Sequence, residues 1–268
     1  MNKYRCPLCQ EQLINENKSY RCNNGHCFDV AKEGYVNLLP VQYKHSKDPG
    51  DNKAMVDARR NFLSKGYYQP LSDKITDLCN KYTQAQSTTN ILDAGCGEGF
   101  YTHQHKTPNN HIYGVDIAKS AIKIAAKKYK DCNFSVATLS KLPFEDEKFD
   151  WVYSIYAPIL EEEFTRVMTN TGYFLSVTPA SRHLWELKQQ IYKETKLHDE
   201  DKMPIKNLSL IHQENLTYKM QFEQGADALS LLAMTPFAFK ATPALLEYLA
   251  QSTNFSCQAD FLIRLYKK

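Results

Sequence analysis

One segment constrains this chain more than any other: Asp93-Ala94-Gly95-Cys96-Gly97-Glu98-Gly99, which closes the apolar run NILDA. A short apolar run ending in close-set glycines reads as a buried strand entering a tight turn, where missing Cβ atoms let a ligand approach the main chain. The spacing narrows the ligand. A dinucleotide fingerprint needs glycines at relative positions 1, 3 and 6; here position 6 is Phe100 and the third glycine, Gly99, stands at position 5. Asp-x-Gly-x-Gly-x-Gly is the variant suited to S-adenosylmethionine (AdoMet), which carries no pyrophosphate for a helix N-terminus to hold. HIYGVD, the next strand, ends in Asp116, 21 residues after Gly95, where a carboxylate can accept both ribose hydroxyls.

The pattern around this loop alternates strand and helix. NFSVAT, FDWVYSIYAP and GYFLSVTP read as three further strands, and AKSAIKIAAKKYK as a helix. TYKMQF and SCQADFLIRLY supply two more strands, with helical stretches near residues 225–235 and 243–251. Near-continuous apolar strands with helical crossovers predict an α/β, Rossmann-like fold: a seven-stranded, mostly parallel sheet of the AdoMet-dependent methyltransferase type over residues 86–268. In such a sheet Thr138 and Leu139, after the third strand, lie near the adenine. Tyr156-Ala157-Pro158, after the fourth, face the methyl group and its acceptor. Upstream, residues 41–85 read as a polar linker carrying Pro49-Gly50 and two helices, the first stopped by Gly66 and the second opened by Pro70.

Residues 1–40 are a different kind of sequence. Cys6-x2-Cys9, twelve residues, then Cys22-x3-His26 with Cys27 adjacent is a zinc spacing, provided residues 10–21 fold back as a hairpin. On spacing alone the fourth ligand is either His26 or Cys27. Four protein ligands leave the ion no open position, so it holds a fold and does not activate water. The other cysteines (Cys79, Cys96, Cys132, Cys257) are scattered and read as small buried hydrophobes.

Charge excludes little. The formal net charge is +3, but residues 1–85 hold thirteen Lys and Arg against nine Asp and Glu, a mild bias toward phosphate. Lys44, His45, Lys47, Arg59, Arg60 and Lys65 are the candidate phosphate contacts. Lys119, Lys123 and Lys127 recur every four residues and read as a solvated helix face. The opening MNKYRCPLCQEQL has no apolar run after its basic residues, and no stretch approaches the roughly 18 apolar residues of a membrane helix. The expectation is a cytoplasmic protein with no membrane partner.

CPLC, the C-x3-H segment with FDVAKEGYVNLLPVQ, then DPGD, ARR, GYYQPL, DAGCGEGFYTH, IYAP and TPASRHLWELK together resemble the bacterial large-subunit (23S) ribosomal RNA guanine-N1 methyltransferase family, RlmA-type. The resemblance covers nearly the whole chain and looks closest to the Gram-negative branch, which modifies a guanine in a hairpin loop of domain II. A sister branch modifies a nearby guanine and confers macrolide resistance. The resemblance implies zinc held by Cys6, Cys9, Cys22 and His26. It implies a cofactor touching Gly99 and Phe100, a tyrosine that maps to Tyr68 and a histidine that maps to His183. It also implies a homodimer whose zinc modules flank an RNA cleft.

The implied chemistry must align guanine N1 with the methyl–sulfur bond and dispose of the N1 proton. The base must also leave its stack, and Tyr101, Tyr153 or Tyr156 could sandwich it. Tyr153, within a strand, reads equally well as packing. The Pro158 corner could offer the Ala157 carbonyl to the guanine edge. Glu98, Glu161 and Glu162 read as exposed carboxylates, so no general base is named and water is the default acceptor. Two other readings compete: an AdoMet enzyme acting on a small molecule, and a non-catalytic zinc RNA-binding protein. The zinc module and basic linker weigh against the first, the intact glycine–aspartate set against the second.

Overall fold

A computed structural model of the chain describes residues 4–43, 50–83, 88–200 and 204–268. The zinc-spaced region folds as a small antiparallel sheet of β1 (Ile14–Asn15), β2 (Ser19–Arg21) and β3 (Cys27–Asp29), followed by β4 (Val36–Asn37). Ile14 pairs with Arg21, so residues 10–21 do turn back as a hairpin. Next come α1 (Lys53–Ser64), capped by the Asn52 side chain on the Met55 amide, and α2 (Gln69–Tyr82), with Pro70 in its first turn. Gly66 stops α1 in the left-handed region at φ 80°.

The catalytic region then runs β5 (Thr89–Ala94), α3 (Phe100–Gln104), β6 (Asn110–Asp116), α4 (Lys119–Lys128), β7 (Asn133–Val136), β8 (Phe149–Ile155), α5 (Glu161–Val167) and β9 (Met168–Pro179). It closes with α6 (Trp185–Ile191), β10 (Ser209–Phe222), α7 (Gly225–Ala233), α8 (Pro243–Gln251) and β11 (Phe255–Lys267). The main sheet has the order β10-β11-β9-β8-β5-β6-β7-β4. Strands from β4 to β9 are parallel to their neighbours, and β11 pairs antiparallel with both β9 and β10. The order reverses at β5, where both β6 and β8 flank it; such a switch point opens a crevice beyond the strand ends.

Seven strands were expected and eight are found among the described residues, because β4 comes from the N-terminal region. Val36 and Asn37 lie beside Ser135 and Val136, and the Leu38 amide donates to the Val136 carbonyl at 2.8 Å. Sequence periodicity cannot reveal a two-residue strand whose partner is a hundred residues away.

Side chains alternate across the sheet. Ile91, Trp151, Tyr153, Leu175 and Val177 face a core shared with α1, α2, α4, α6, α7 and α8. Leu92, Ala94, Val152 and Phe174 face the other side, where Phe164 and Val167 of α5 meet residues of the N-terminal region. Tyr4 stacks on Phe144 at 5.2 Å and sets its edge against Tyr113 at 5.7 Å; Leu13, Cys22, Val36 and Leu38 are buried in the same cluster. The zinc-spaced region therefore covers sheet that helices leave bare. Each such aromatic contributes roughly 1.5–3 kcal/mol by leaving water.

Candidate active site and metal centre

Beyond the carboxyl ends of β5, β6 and β8 lies a cavity of about 870 Å³. The glycine turn forms its floor. Gly95 sits at φ 85°, and a Cβ there would stand 2.4 Å from the Ala157 Cβ, so turn and acceptor corner touch through the missing side chain. Gly99 does another job: its Cβ would meet Ala125 and Phe134 at 2.9 Å, and it is not among the cavity-lining residues. It is a packing glycine that brings α3 close to the sheet. Asp116 latches the turn, accepting from the Gly97 amide at 2.9 Å and the Ala118 amide at 2.7 Å. Burial raises its pKa.

Most of the expected site residues line this one cavity: Tyr68, Gly95, Gly97, Phe100, Asp116, Thr138, Leu139, Tyr156, Ala157, Pro158 and His183. Asp93 does not. Its carboxyl accepts from the Thr102 hydroxyl at 2.6 Å beneath the turn, and burial pushes its pKa up to about 7. It braces the start of α3 and is not among the residues that line the cavity. Tyr68, expected from the resemblance, reaches the cavity from the α1–α2 junction, and Phe261 and Phe62 set their rings edge-on to it at 5.0 and 4.9 Å. His183 connects it to the acceptor corner: its Nε2 lies 3.4 Å from the Tyr68 hydroxyl and 3.3 Å from that of Tyr156. The His183 Nδ1 accepts from the Asp260 amide at 3.2 Å, which puts the ring hydrogen on Nε2. Burial lowers this imidazole to about 3, so it stays neutral.

Tyr156 is strained. It is a non-glycine residue at φ 57°, held by its amide on the Val177 carbonyl and by His183. Its neighbour Ala157 already accepts the Ser154 hydroxyl at 2.9 Å, so only the second lone pair of that carbonyl remains for a base edge. Tyr153 is core packing: fully buried, with its hydroxyl 3.0 Å from Cys79 Sγ.

One sequence expectation is corrected. Glu98 is not an exposed carboxylate; it is 3% exposed, lines the cavity and is pushed up to about 7 by burial. A polar residue between glycines reads as solvent-facing, but α1 and α4 close over it. The described members of the basic run each carry an acidic partner. Arg59 pairs with Asp51, and its Nη2 donates to the Met234 carbonyl at 3.4 Å, so it walls the cavity. Arg60 pairs with Asp57, and Lys65 with Asp227 at 2.6 Å. Lys44, His45 and Lys47 lie outside the described residues. Lys119, Lys123 and Lys127 are exposed on α4, as a solvated face requires.

The cavity suits a methionyl donor. Glu98 Oε2 and the Tyr101 hydroxyl are buried with no hydrogen-bond partner; an ammonium group would satisfy the first. Asp116 brings a carboxylate to the cavity that would suit a ribose, and Phe100, Ile117 and Leu139 give it apolar lining. Asp116→Ala should weaken AdoMet binding about 10–100-fold, the range for losing hydrogen bonds to a charged group, since it also frees the turn. Calorimetric titration checks this; unchanged affinity would remove Asp116 from the binding set.

The metal donors converge without ambiguity. Cys6 Sγ and Cys22 Sγ lie 3.5 and 3.4 Å from His26 Nδ1, and Cys9 Sγ lies 3.6 Å from Cys22 Sγ. A zinc tetrahedron with Zn–S near 2.3 Å and Zn–N near 2.0 Å has edges of roughly 3.8 and 3.5 Å. Gly25 at φ 81° makes the knuckle that presents His26. Cys27 points out of the cluster and is exposed, which settles the choice left open by spacing. The Glu11 backbone amide, foremost, draws the Cys9 thiol down to about 6, so one ligand is a thiolate at neutral pH.

Comparison with known proteins agrees with this geometry. Residues 4–47 match the zinc-ribbon family described as RlmA, N-terminal, and residues 85–225 match a methyltransferase domain family. The 23S rRNA (guanine(748)-N(1))-methyltransferase of Streptomyces fradiae is 30% identical over 89% of this chain and 86% of its own. YxjB of Bacillus subtilis strain 168, provisionally named as a 23S rRNA (guanine-N(1)-)-methyltransferase, is 29% identical over 97% and 96%. Among solved structures, YcgJ of Bacillus subtilis aligns with a TM-score of 0.48 at 18% identity, over 72% of this chain and 97% of that one. With a zinc ribbon, a methyltransferase domain and end-to-end similarity to such an enzyme in one polypeptide, this chain belongs to the 23S rRNA guanine-N1 methyltransferase family.

Proposed function

We propose that this protein transfers the methyl group of AdoMet to N1 of a guanine in a hairpin loop of large-subunit ribosomal RNA. The observation that carries the reading is the shared core of metal module and catalytic sheet, Tyr4 on Phe144 and β4 beside β7. A small-molecule methyltransferase has no use for a metal-pinned lobe built into its sheet edge, whereas a polymer substrate needs a rigid second surface.

The bound donor supplies an already activated methyl group. Tyr68, Asp116, Glu98 and the glycine turn hold and orient it in this reading, with Thr138 and Leu139 beside the adenine. The flipped guanine enters over the Tyr156-Ala157-Pro158 corner, where Tyr156, a residue 41% exposed, offers a stacking face while its hydroxyl end lies against His183. His183 keeps that ring in place. In this reading the protein acts as a homodimer in the cytoplasm, where ribosomal RNA is found. Among the described residues no helix is long and apolar enough to cross a membrane. Sedimentation at micromolar concentration checks the dimer.

Label from radioactive AdoMet should enter 23S rRNA of a strain lacking this gene, at one guanine. Primer extension should stop there, because a methyl on N1 blocks pairing. RNA affinity should fall steeply with salt. Absence of label from both naked rRNA and assembling particles would overturn the reading. The position of the stop decides between the Gram-negative target and the neighbouring guanine.

A further inference from the structure

We propose that the His198 imidazole accepts the N1 proton of the guanine, making it the catalytic base that the sequence does not disclose. The inference rests on the guanine-N1 reading above and adds the residue that completes its proton balance.

The geometry comes first. His198 lines the donor cavity at the acceptor corner, in company with Tyr156, Ala157, Pro158 and His183. Its ring centroid is 6.5 Å from that of His183. The segment that carries it is fastened over the site: the His198 amide donates to the Ser181 carbonyl at 2.9 Å, and the Ser181 amide donates to Glu200 Oε1 at 3.1 Å. The backbone that carries the ring is thus held beside the cavity that Tyr156 also lines.

Most of the remaining titratable groups of the cavity are committed or held protonated. His183 carries its hydrogen on the nitrogen that faces the tyrosines and is far too weak a base at about 3. Asp116 is held by two backbone amides, and Asp51 by Arg59. Burial keeps the Cys96 thiol and the hydroxyls of Tyr68, Tyr101 and Tyr156 protonated. Glu98 is the one other candidate, but its carboxylate lies among the cations Lys128, Arg59 and Arg60 of α4 and α1, which favour its holding a charge in place. His198 differs from all of these: it is half-buried, open to the cavity, and no side chain hydrogen-bonds its ring among the described residues.

Its surroundings favour the neutral, accepting form. Burial is the main cause, and Lys188 of α6 adds to it; Asp199 beside it in the chain and Asp260 of β11 pull the other way without prevailing. Lys188 is itself buried, with its pKa lowered. At neutral pH the imidazole is therefore empty-handed. The N1–H bond breaks toward the imidazole nitrogen, the N1 lone pair forms the N1–C bond, and the carbon–sulfur bond breaks, leaving a neutral thioether. The imidazolium then gives its proton to water. Charge balances, because the sulfonium's positive charge leaves as that proton.

Single-turnover methyl transfer to 23S rRNA, with full-length protein and saturating AdoMet, tests the assignment. His198→Gln should slow transfer about 10²–10⁴-fold, the usual contribution of a general base, with AdoMet and RNA dissociation constants unchanged within about twofold. The wild-type rate should fall at acid pH with one ionisation. In His198→Gln that limb should vanish, and the rate should climb with pH until the guanine ionises on its own. Added imidazole should partly restore His198→Ala. A variant within about threefold of wild type, or one whose rate loss is matched by lost RNA affinity, would overturn the proposal. If wild type labels no rRNA, the guanine-N1 reading falls and this assignment with it; if wild type labels rRNA and His198→Gln does so equally well, only His198 falls.

Discussion

Stripping the metal from Cys6, Cys9, Cys22 and His26 should lower the melting temperature of the entire chain, in one transition, and should not melt a separate N-terminal lobe. Structural zinc contributes roughly 10–16 kcal/mol to the folding of small modules, and here the module has too little core of its own to survive without it. Its aromatic anchor, Tyr4, lies against Tyr113 and Phe144 of the catalytic region, and β4 covers the edge of β7. Loss of the ion therefore bares sheet as well as ribbon. For a chain of this size roughly 1 kcal/mol corresponds to about 2–4 °C, so a drop of at least about 10 °C is expected on chelation or in Cys22→Ala. Methylation of rRNA should be abolished. Calorimetry beside metal analysis reads both. Two separate transitions, the upper one unmoved, would mean that ribbon and sheet fold independently.

Gly95→Ala should be nearly as damaging, and at the donor site. The left-handed backbone costs an alanine about 1–3 kcal/mol, and a Cβ 2.4 Å from that of Ala157 adds overpacking of similar size. Either the turn moves off Asp116 or the acceptor corner moves off the cavity, so AdoMet affinity should fall about 100-fold or more. Gly66→Ala is the control. It shares the positive φ, at 80°, but its Cβ would meet nothing within 4 Å, so only the conformational cost of about 1 kcal/mol applies and donor binding should persist. Equal affinity in wild type and Gly95→Ala would mean that the turn and the Ala157 corner do not need their close approach.

The elements legible in the chain were those whose determinants are local. The strand before Gly95, the spacing to Asp116, the hairpin between Cys9 and Cys22 and the stop at Gly66 are each specified within about twenty residues, by periodicity and by backbone conformations that few residue types tolerate. The same locality explains the errors. Glu98 looked exposed because its neighbours in sequence are glycines, while its neighbours in space are α1 and α4. Arg59 also walls the cavity by donating to the Met234 carbonyl, 175 residues away, a contact that no local pattern discloses.

Residue order alone settles that this chain makes a glycine-turn α/β sheet and closes a three-cysteine, one-histidine-compatible spacing ahead of it, because strand periodicity, turn glycines and ligand spacing act over short range. Folding in three dimensions decides the rest: that His26 and not Cys27 completes the metal set, that β4 joins the catalytic sheet, that Asp93 braces α3 beneath the turn, and that His198 meets Tyr156 and His183 at one cavity. Each of these depends on which side chains come together across long sequence separations. Burial and direction, the quantities that tune an acid or aim a ligand, have no local signature.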